Sequence, residues 1–249
     1  MFFLLLFVCA FAVMTPRNIF AGAPCTTPIL MYHEVIEVGP ATVGEQRAFS
    51  ITPRTFEMQM RYLHDHNYQT VFVRDVAAYV RAGKRLPQRL VALTFDDGTV
   101  DVAETVLPIL KKFGLKATIY VNPGFDGVND RMTLDKIKKV WVSGLIEVGS
   151  HTLTHVRLSD VPPEQAVAEL KGSKSLLEKL LGAPVVSFAY PFGARTEETM
   201  HLVERQGYKN AVISGLSTQL SVEHLFDLPR KSIFESDKIA GFVRKLHER

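Results

Sequence analysis

From residue 28 onward the chain alternates short β-rich runs with amphipathic stretches, and it does so about seven times. The runs PILMYHEV (28–35), QTVFV (69–73), RLVALTF (89–95), KATIYVN (116–122), LIEVGS (145–150), PVVSFAY (184–190) and NAVIS (210–214) read as strands. The intervening stretches read as helices. The first opens with Thr52 as N-cap and Pro53 in the first turn and places Phe56, Met60 and Leu63 on one face, and another closes at Gly83. Neighbouring parallel strands need a crossover connection, and near-continuous apolar strands suit burial on both faces. The pattern therefore predicts an α/β fold: a distorted or incomplete (β/α) barrel of about seven strands, with an open doubly wound sheet as the rival. In either architecture the reactive groups gather where strands end.

Composition sets the remaining bounds. With 249 residues, 47% hydrophobic and 22% charged, the chain can bury one substantial core, which argues against disorder. The formal charge of +3 is mild, and no run of Lys and Arg interleaves with aromatics, so nucleic acid is not an expected partner. MFFLLLFVCAFAVM is apolar for its whole length and is followed by Ala21, Gly22 and Ala23. This is the pattern of a secretory signal peptide, although no Lys or Arg precedes the apolar run; it is shorter than the roughly 20 residues of a bilayer span. Residues 1–23 are thus expected to be a signal peptide or a membrane anchor, and residues 24–249 one exported, monomeric domain, periplasmic, cell-surface or secreted. Cys9 lies in the leader, which leaves Cys25 without an intramolecular partner after cleavage.

Three strand ends carry unusual residues. LVALTFDDG ends a strand on adjacent carboxylates, Asp96 and Asp97, followed by Gly98. Successive strand residues point to opposite sides, so the two carboxylates take different tasks unless the backbone turns at the glycine. SHTLTH places His151 and His155 four apart, close enough to meet one ion. Two histidines and one carboxylate, with other positions open to water and substrate, form a catalytic rather than a structural metal site. Taken singly, the first feature is equally a capped turn and the second a coincidental pair. His64 and His66 read as solvated, and Trp141 as core packing.

Together these stretches resemble the polysaccharide deacetylases, the NodB-like carbohydrate esterases of family 4. The matching residues are Thr94 to Gly98, then Ser150, His151, Thr152 and His155, then FAYPFG at 188–193, over roughly residues 28–235. ILMYHEV, FAYPFG and LPR are most similar to the branch that holds poly-β-1,6-N-acetylglucosamine deacetylases. The resemblance implies Asp97, His151 and His155 as ligands of a divalent metal, with zinc as the default and Ni2+, Co2+ or Fe2+ as alternatives. It further implies Asp96 as general base, and Tyr190 and Phe192 as substrate and oxyanion contacts, the latter through its backbone N–H. Two departures stand out. Ala189 occupies the place of the arginine that orients the base, which makes Arg230 the substitute, and LPR (228–230) replaces the late histidine motif, which makes His33 the substitute acid. A packed imidazole and a structural ion pair remain the plainer readings of these two residues. The implied activity is metal-dependent removal of N-acetyl groups from N-acetylglucosamine units of an extracellular polysaccharide. A non-catalytic glycan-binding module, or a deacetylase of peptidoglycan, chitin oligomers or O-acetyl xylan, is the alternative.

Overall fold

The computed structural model describes residues 28–39, 42–215 and 220–247; the apolar leader, Cys9 and Cys25 lie outside the described residues. Strand β1 (Ile29–Tyr32) and the short β2 (Glu34–Val35) precede α1 (Gly44–Phe49), β3 (Ser50–Ile51) and α2 (Pro53–Asp65). Next come β4 (Gln69–Val71), α3 (Val73–Arg81), β5 (Leu90–Phe95), α4 (Leu107–Phe113) and β6 (Ala117–Val121). The chain continues through α5 (Leu134–Val142), β7 (Ile146–Ser150), α6 (Pro163–Leu181), β8 (Ser187–Ala189) and α7 (Glu197–Arg205). It ends with β9 (Asn210–Ser214), β10 (Leu228–Ser232) and α8 (Lys238–His247).

Seven parallel strands close a ring in the order β1, β10, β9, β8, β7, β6, β5 and back to β1. The irregularity sits at β5: β4 pairs with its first half, Gln69 opposite Leu90, and β6 with its end, Thr94 opposite Thr118. One staple is thin, since β7 and β8 meet only at Ser150 and Phe188. The strand run expected at 69–73 is thus an accessory strand, whereas LPRKS, which the sequence pattern did not mark as a strand, is the stave that closes the barrel.

The alternation of side chains divides the core in two. Leu30, Leu93, Phe95, Ile119, Val148 and Phe188 face outward and pack under the helices, joined by Phe56, Met60 and Leu63 of α2 as the spacing predicted. Ile29, Ala92, Tyr120, Ala189, Val212 and Leu228 face inward and pack with α3, which closes the bottom of the barrel through Val73, Val76, Ala77 and Val80. Thr52 caps α2 by accepting the Thr55 N–H, and Thr133 caps α5 through the Lys136 N–H. The helix expected after Asp101 starts as a widened turn over Val102–Val106, in which Leu107 N–H reaches back to Val102 O. Pro108 has no N–H to give and its ring crowds the preceding turn, so a regular α-helical entry is blocked.

The barrel interior has little spare volume. A Cβ on Gly149 would lie 2.6 Å from Tyr120 Cδ1 and Cε1 and 2.9 Å from Ser187 O. Gly149→Ala is therefore expected to destabilise by about 1–3 kcal/mol through overpacking. Thermal denaturation should show it as a fall of roughly 2–4 °C per kcal/mol. An unchanged melting temperature would show that the Tyr120 ring is not confined there.

Candidate active site

Because all barrel strands are parallel, their C-terminal ends open on one side, where a cleft of about 580 Å³ is lined by His33, Asp96, Asp97, His151, His155 and Arg230, among others. Asp96 directly follows β5 and is 3% exposed. The guanidinium of Arg230, 1% exposed, grips it in a fork: Nη1 donates to Oδ1 at 2.6 Å and Nη2 to Oδ2 at 2.7 Å. Nη1 also donates to Thr94 Oγ1 at 3.1 Å and Nε to Ile213 O at 3.3 Å, which fixes the fork in the barrel wall. Burial pushes the Asp96 carboxyl up, but Arg230 in first place and His151 after it outweigh burial, and the group stays below the ordinary carboxylate range.

One residue later the backbone turns over. Asp97 stands at φ 73° and Gly98 at φ 66°, which swings the second carboxylate away from the first. A Cβ on Gly98 would sit 2.6 Å from Val121 Cγ1, so space as well as conformation requires glycine there. Asp97 Oδ2 lies 3.3 Å from Arg131 Nη2. Its Oδ1 lies 3.2 Å from His155 Nε2 and 3.6 Å from His151 Nε2, yet is buried without a hydrogen-bond partner among the described residues. Burial raises the Asp97 pKa, but His155, His151 and Arg131 together hold it well below the ordinary carboxylate range.

His151 follows β7. Its Nδ1 lies 2.8 Å from Ala189 O; a carbonyl can only accept, so Nδ1 carries the proton and Nε2 turns a lone pair toward Asp97. Burial lowers the pKa of this ring to about 4, against the pull of Asp96 and Asp97, so it is neutral at neutral pH. A carboxylate oxygen and an imidazole lone pair thus face each other out of water, an arrangement that a cation relieves. Asp97, His151 and His155 each offer one ligand atom, all within 4.8 Å of one another, and together they could hold one divalent ion.

The other predicted site residues line the same cleft. His33, at the end of β1, packs its ring 4.6 Å from that of Phe49. Tyr190 is 1% exposed, and its hydroxyl has no hydrogen-bond partner among the described residues. Phe192 stands at φ 61° in the turn after β8, with Gly193 N–H donating to Tyr190 O and Ala194 N–H to Pro191 O. Its half-exposed ring lies 4.8 Å from His155 and 4.1 Å from the Arg157 guanidinium. His64 and His66 lie on the surface, far from this cluster in their contacts, and Trp141 packs on the outer core.

Sequence reasoning missed Arg131, Arg157 and Asn122. Asn122 directly follows β6 and its Nδ2 donates to His151 O, so attention to every strand end would have found it. Arg131 reaches the site from a loop tied back to Gly98 O through Met132 N–H at 2.9 Å, and nothing local in its sequence announces that.

The polysaccharide deacetylase family profile matches residues 83–211, a span that holds both carboxylates, both histidines and the FAYPFG turn. The chain belongs to the polysaccharide deacetylase family. It is 31% identical over 189 residues to YxkH of Bacillus subtilis, a relative named for the same family, across 76% of this chain and 64% of that protein. It is 26% identical over 178 residues to a poly-beta-1,6-N-acetyl-D-glucosamine N-deacetylase of Staphylococcus aureus, across 66% of this chain and 61% of that protein. The chain therefore spans somewhat over three fifths of the length of the curated relatives it matches. Among solved structures it is similar to the Streptococcus pyogenes deacetylase PplD in complex with acetate, with TM-score 0.83 and 26% identity over 91% of this chain and 100% of that one. IcaB from Ammonifex degensii shares the fold, with TM-score 0.76 and 23% identity over 89% of this chain and 97% of that one.

The Asp96–Arg230 pair yields a direct test. Arg230→Met leaves a buried carboxylate without its partner and is expected to cost about 3–5 kcal/mol of stability. The double variant Asp96→Asn with Arg230→Met should recover most of that loss in urea denaturation. Equal losses in the single and double variants would show that the pair is not energetically coupled.

Proposed function

We propose that this family member is a metal-dependent N-deacetylase acting on N-acetylglucosamine units of an extracellular polysaccharide, with poly-β-1,6-N-acetylglucosamine as the favoured substrate. The observation that carries the metal reading is the buried, unpartnered Asp97 Oδ1 facing two imidazole Nε2 atoms beside a second carboxylate. The substrate reading rests on the N-deacetylase relative. Asp97, His151 and His155 would hold the ion. When bound, a divalent ion supplies Lewis acidity toward an acetamide carbonyl and lowers the pKa of a nearby water from about 15.7 towards neutrality.

The rest is the work of the chain. Asp96, ionised and pinned by Arg230, accepts the proton of the attacking water at a carboxylate oxygen, which retains a lone pair beyond the one that Arg230 occupies. Arg230 acts on the base by orientation and charge and does not touch the substrate. His33, which leaves β1 beside the β5 end that carries Asp96, donates a proton to the departing amine, its ring steadied against Phe49. The Phe192 backbone N–H supplies a donor for the carbonyl oxygen as it becomes an oxyanion, and Tyr190, whose ring packs edge-on against Phe188, borders the cleft beside it. The exposed Phe192 ring offers an apolar face to the acetyl methyl or the sugar.

Export and a cleaved leader fit a polymeric substrate outside the cell. No helix among the described residues is long and apolar enough to cross a membrane. The deciding experiment measures acetate released from poly-β-1,6-N-acetylglucosamine, chitin oligomers, peptidoglycan and acetylated xylan, with and without a chelator. The first substrate should release most acetate, the chelator should stop release, and Zn2+ or Co2+ should restore it. Asp96→Asn should lower kcat by about 10²–10⁴-fold. Asp97→Asn activity at the wild-type level would refute the metal assignment, and binding of glucosamine oligomers without acetate would refute catalysis. An unchanged alkaline limb of the pH–rate profile in His33→Ala would remove His33 as the acid.

A further inference from the structure

Residues 151–155 carry both histidines without regular secondary structure, and two of them stand at left-handed φ: Thr152 at 64° and His155 at 61°. A β-branched residue there costs on the order of 1–3 kcal/mol, so the shape must be imposed from outside the loop. One face of α6 does so. Glu169 Oε2 accepts the backbone N–H groups of Leu153 at 2.8 Å and Thr154 at 2.9 Å, and Oε1 accepts the Thr154 hydroxyl at 2.6 Å. One turn on, a Cβ at Gly172 would come within 3.2 Å of Leu153 Cδ2, and Ser173 Oγ lies 2.8 Å from Ser150 Oγ. Positions 169, 172 and 173 share one helix face, and the buried carboxylate at 169 is an uncommon choice there. Glu169 is 8% exposed, and the hydrogen bonds recorded for it all come from the loop between the two histidines. A carboxylate so placed is tolerated because the loop saturates it with donors.

We propose that Glu169 is a positioning residue of the metal site: it fixes the backbone between His151 and His155 so that both Nε2 atoms face Asp97 Oδ1. This rests on the metal reading of those three residues. Without the clamp, the loop would relax its strained dihedrals and an incoming ion would have to order it again, at a cost in affinity. A residue that merely docked α6 would affect stability and leave the affinity of the folded protein alone.

The full chain, stripped of metal, is titrated with Co2+, whose visible absorption reports both affinity and ligand geometry. Glu169→Ala should weaken Co2+ binding by about 10–100-fold and alter the spectrum, as outer-shell partners of metal ligands do. Glu169→Gln, whose carbonyl still accepts the two N–H groups while its amide meets the Thr154 hydroxyl, should stay within about threefold of the wild type, since the clamp geometry is kept. Leu177→Ala, on the same helix and fully buried, should lower the melting temperature with Co2+ affinity unchanged. Should Glu169→Ala not fold, Glu169→Asp carries the same test, because it withdraws the charge by one methylene. Wild-type Co2+ affinity and spectrum in the variant, with only the melting temperature lowered, would overturn the positioning role alone. Failure of the wild type to bind Co2+ would overturn the metal reading as well.

Discussion

Closure of seven parallel strands into one ring decides where polar chemistry can exist in this molecule. The inward side chains of β1, β5, β6, β8, β9 and β10 form a largely apolar plug with α3 at one end, where a buried carboxylate, Glu147, is satisfied by the hydroxyls of Thr118 and Ser187, and the barrel opens to the cleft at the other. There every stave ends, and each end brings its terminal side chains toward the same axis. Asp96 after β5, His151 after β7, Arg230 from β10 and His33 after β1 meet because the ring is closed. An open sheet would spread these ends along an edge.

Within that mouth the two adjacent aspartates acquire different chemistry from their neighbours. Asp96 keeps the strand's own geometry and meets Arg230, which offers a planar fork matched to both oxygens. Asp97 lies past the turn at positive φ, where one oxygen meets Arg131 and the other meets only imidazole nitrogens. Burial opposes ionisation of both, and it is outweighed by Arg230 at the first and by His155, His151 and Arg131 at the second. The first carboxylate is thus compensated by the protein itself. The second is compensated only in part, and its free oxygen is what makes the cluster receptive to a cation.

Much of this was legible in the sequence, for local reasons. Strand and helix periods, the Thr52 cap and the helix face of Phe56, Met60 and Leu63 are properties of a few consecutive residues. The three signatures sit at strand ends, and strand ends can be read from hydropathy. Strand β10 was not legible: LPRKS carries a proline and two cations, and it is a strand because β9 and β1 lie on either side of it. Pro229 is tolerated there since it pairs toward β9 before the pairing with β1 begins at Lys231. Arg230 could be nominated for Asp96 from the loss of an arginine at 189, but the fork itself depends on closure of the ring. Arg131 and Glu169 act across tertiary contacts and leave no local pattern.

The distribution of strain follows from the same geometry. Four of the nine non-glycine residues at positive φ among those described, Asp97, Thr152, His155 and Phe192, lie at this one mouth. Strands leaving a narrow barrel diverge, so side chains that continue in strand geometry splay apart; bringing ligand atoms within 4.8 Å of one another requires the chain to fold back at each exit. Such backward turns persist only where surrounding contacts over-determine them. Here Met132 N–H on Gly98 O holds the first, Glu169 on Leu153 and Thr154 the second, and Gly193 N–H on Tyr190 O the third. The barrel supplies rigidity and the exits supply convergence, and the two are joined by hydrogen bonds from residues that never touch the reacting atoms.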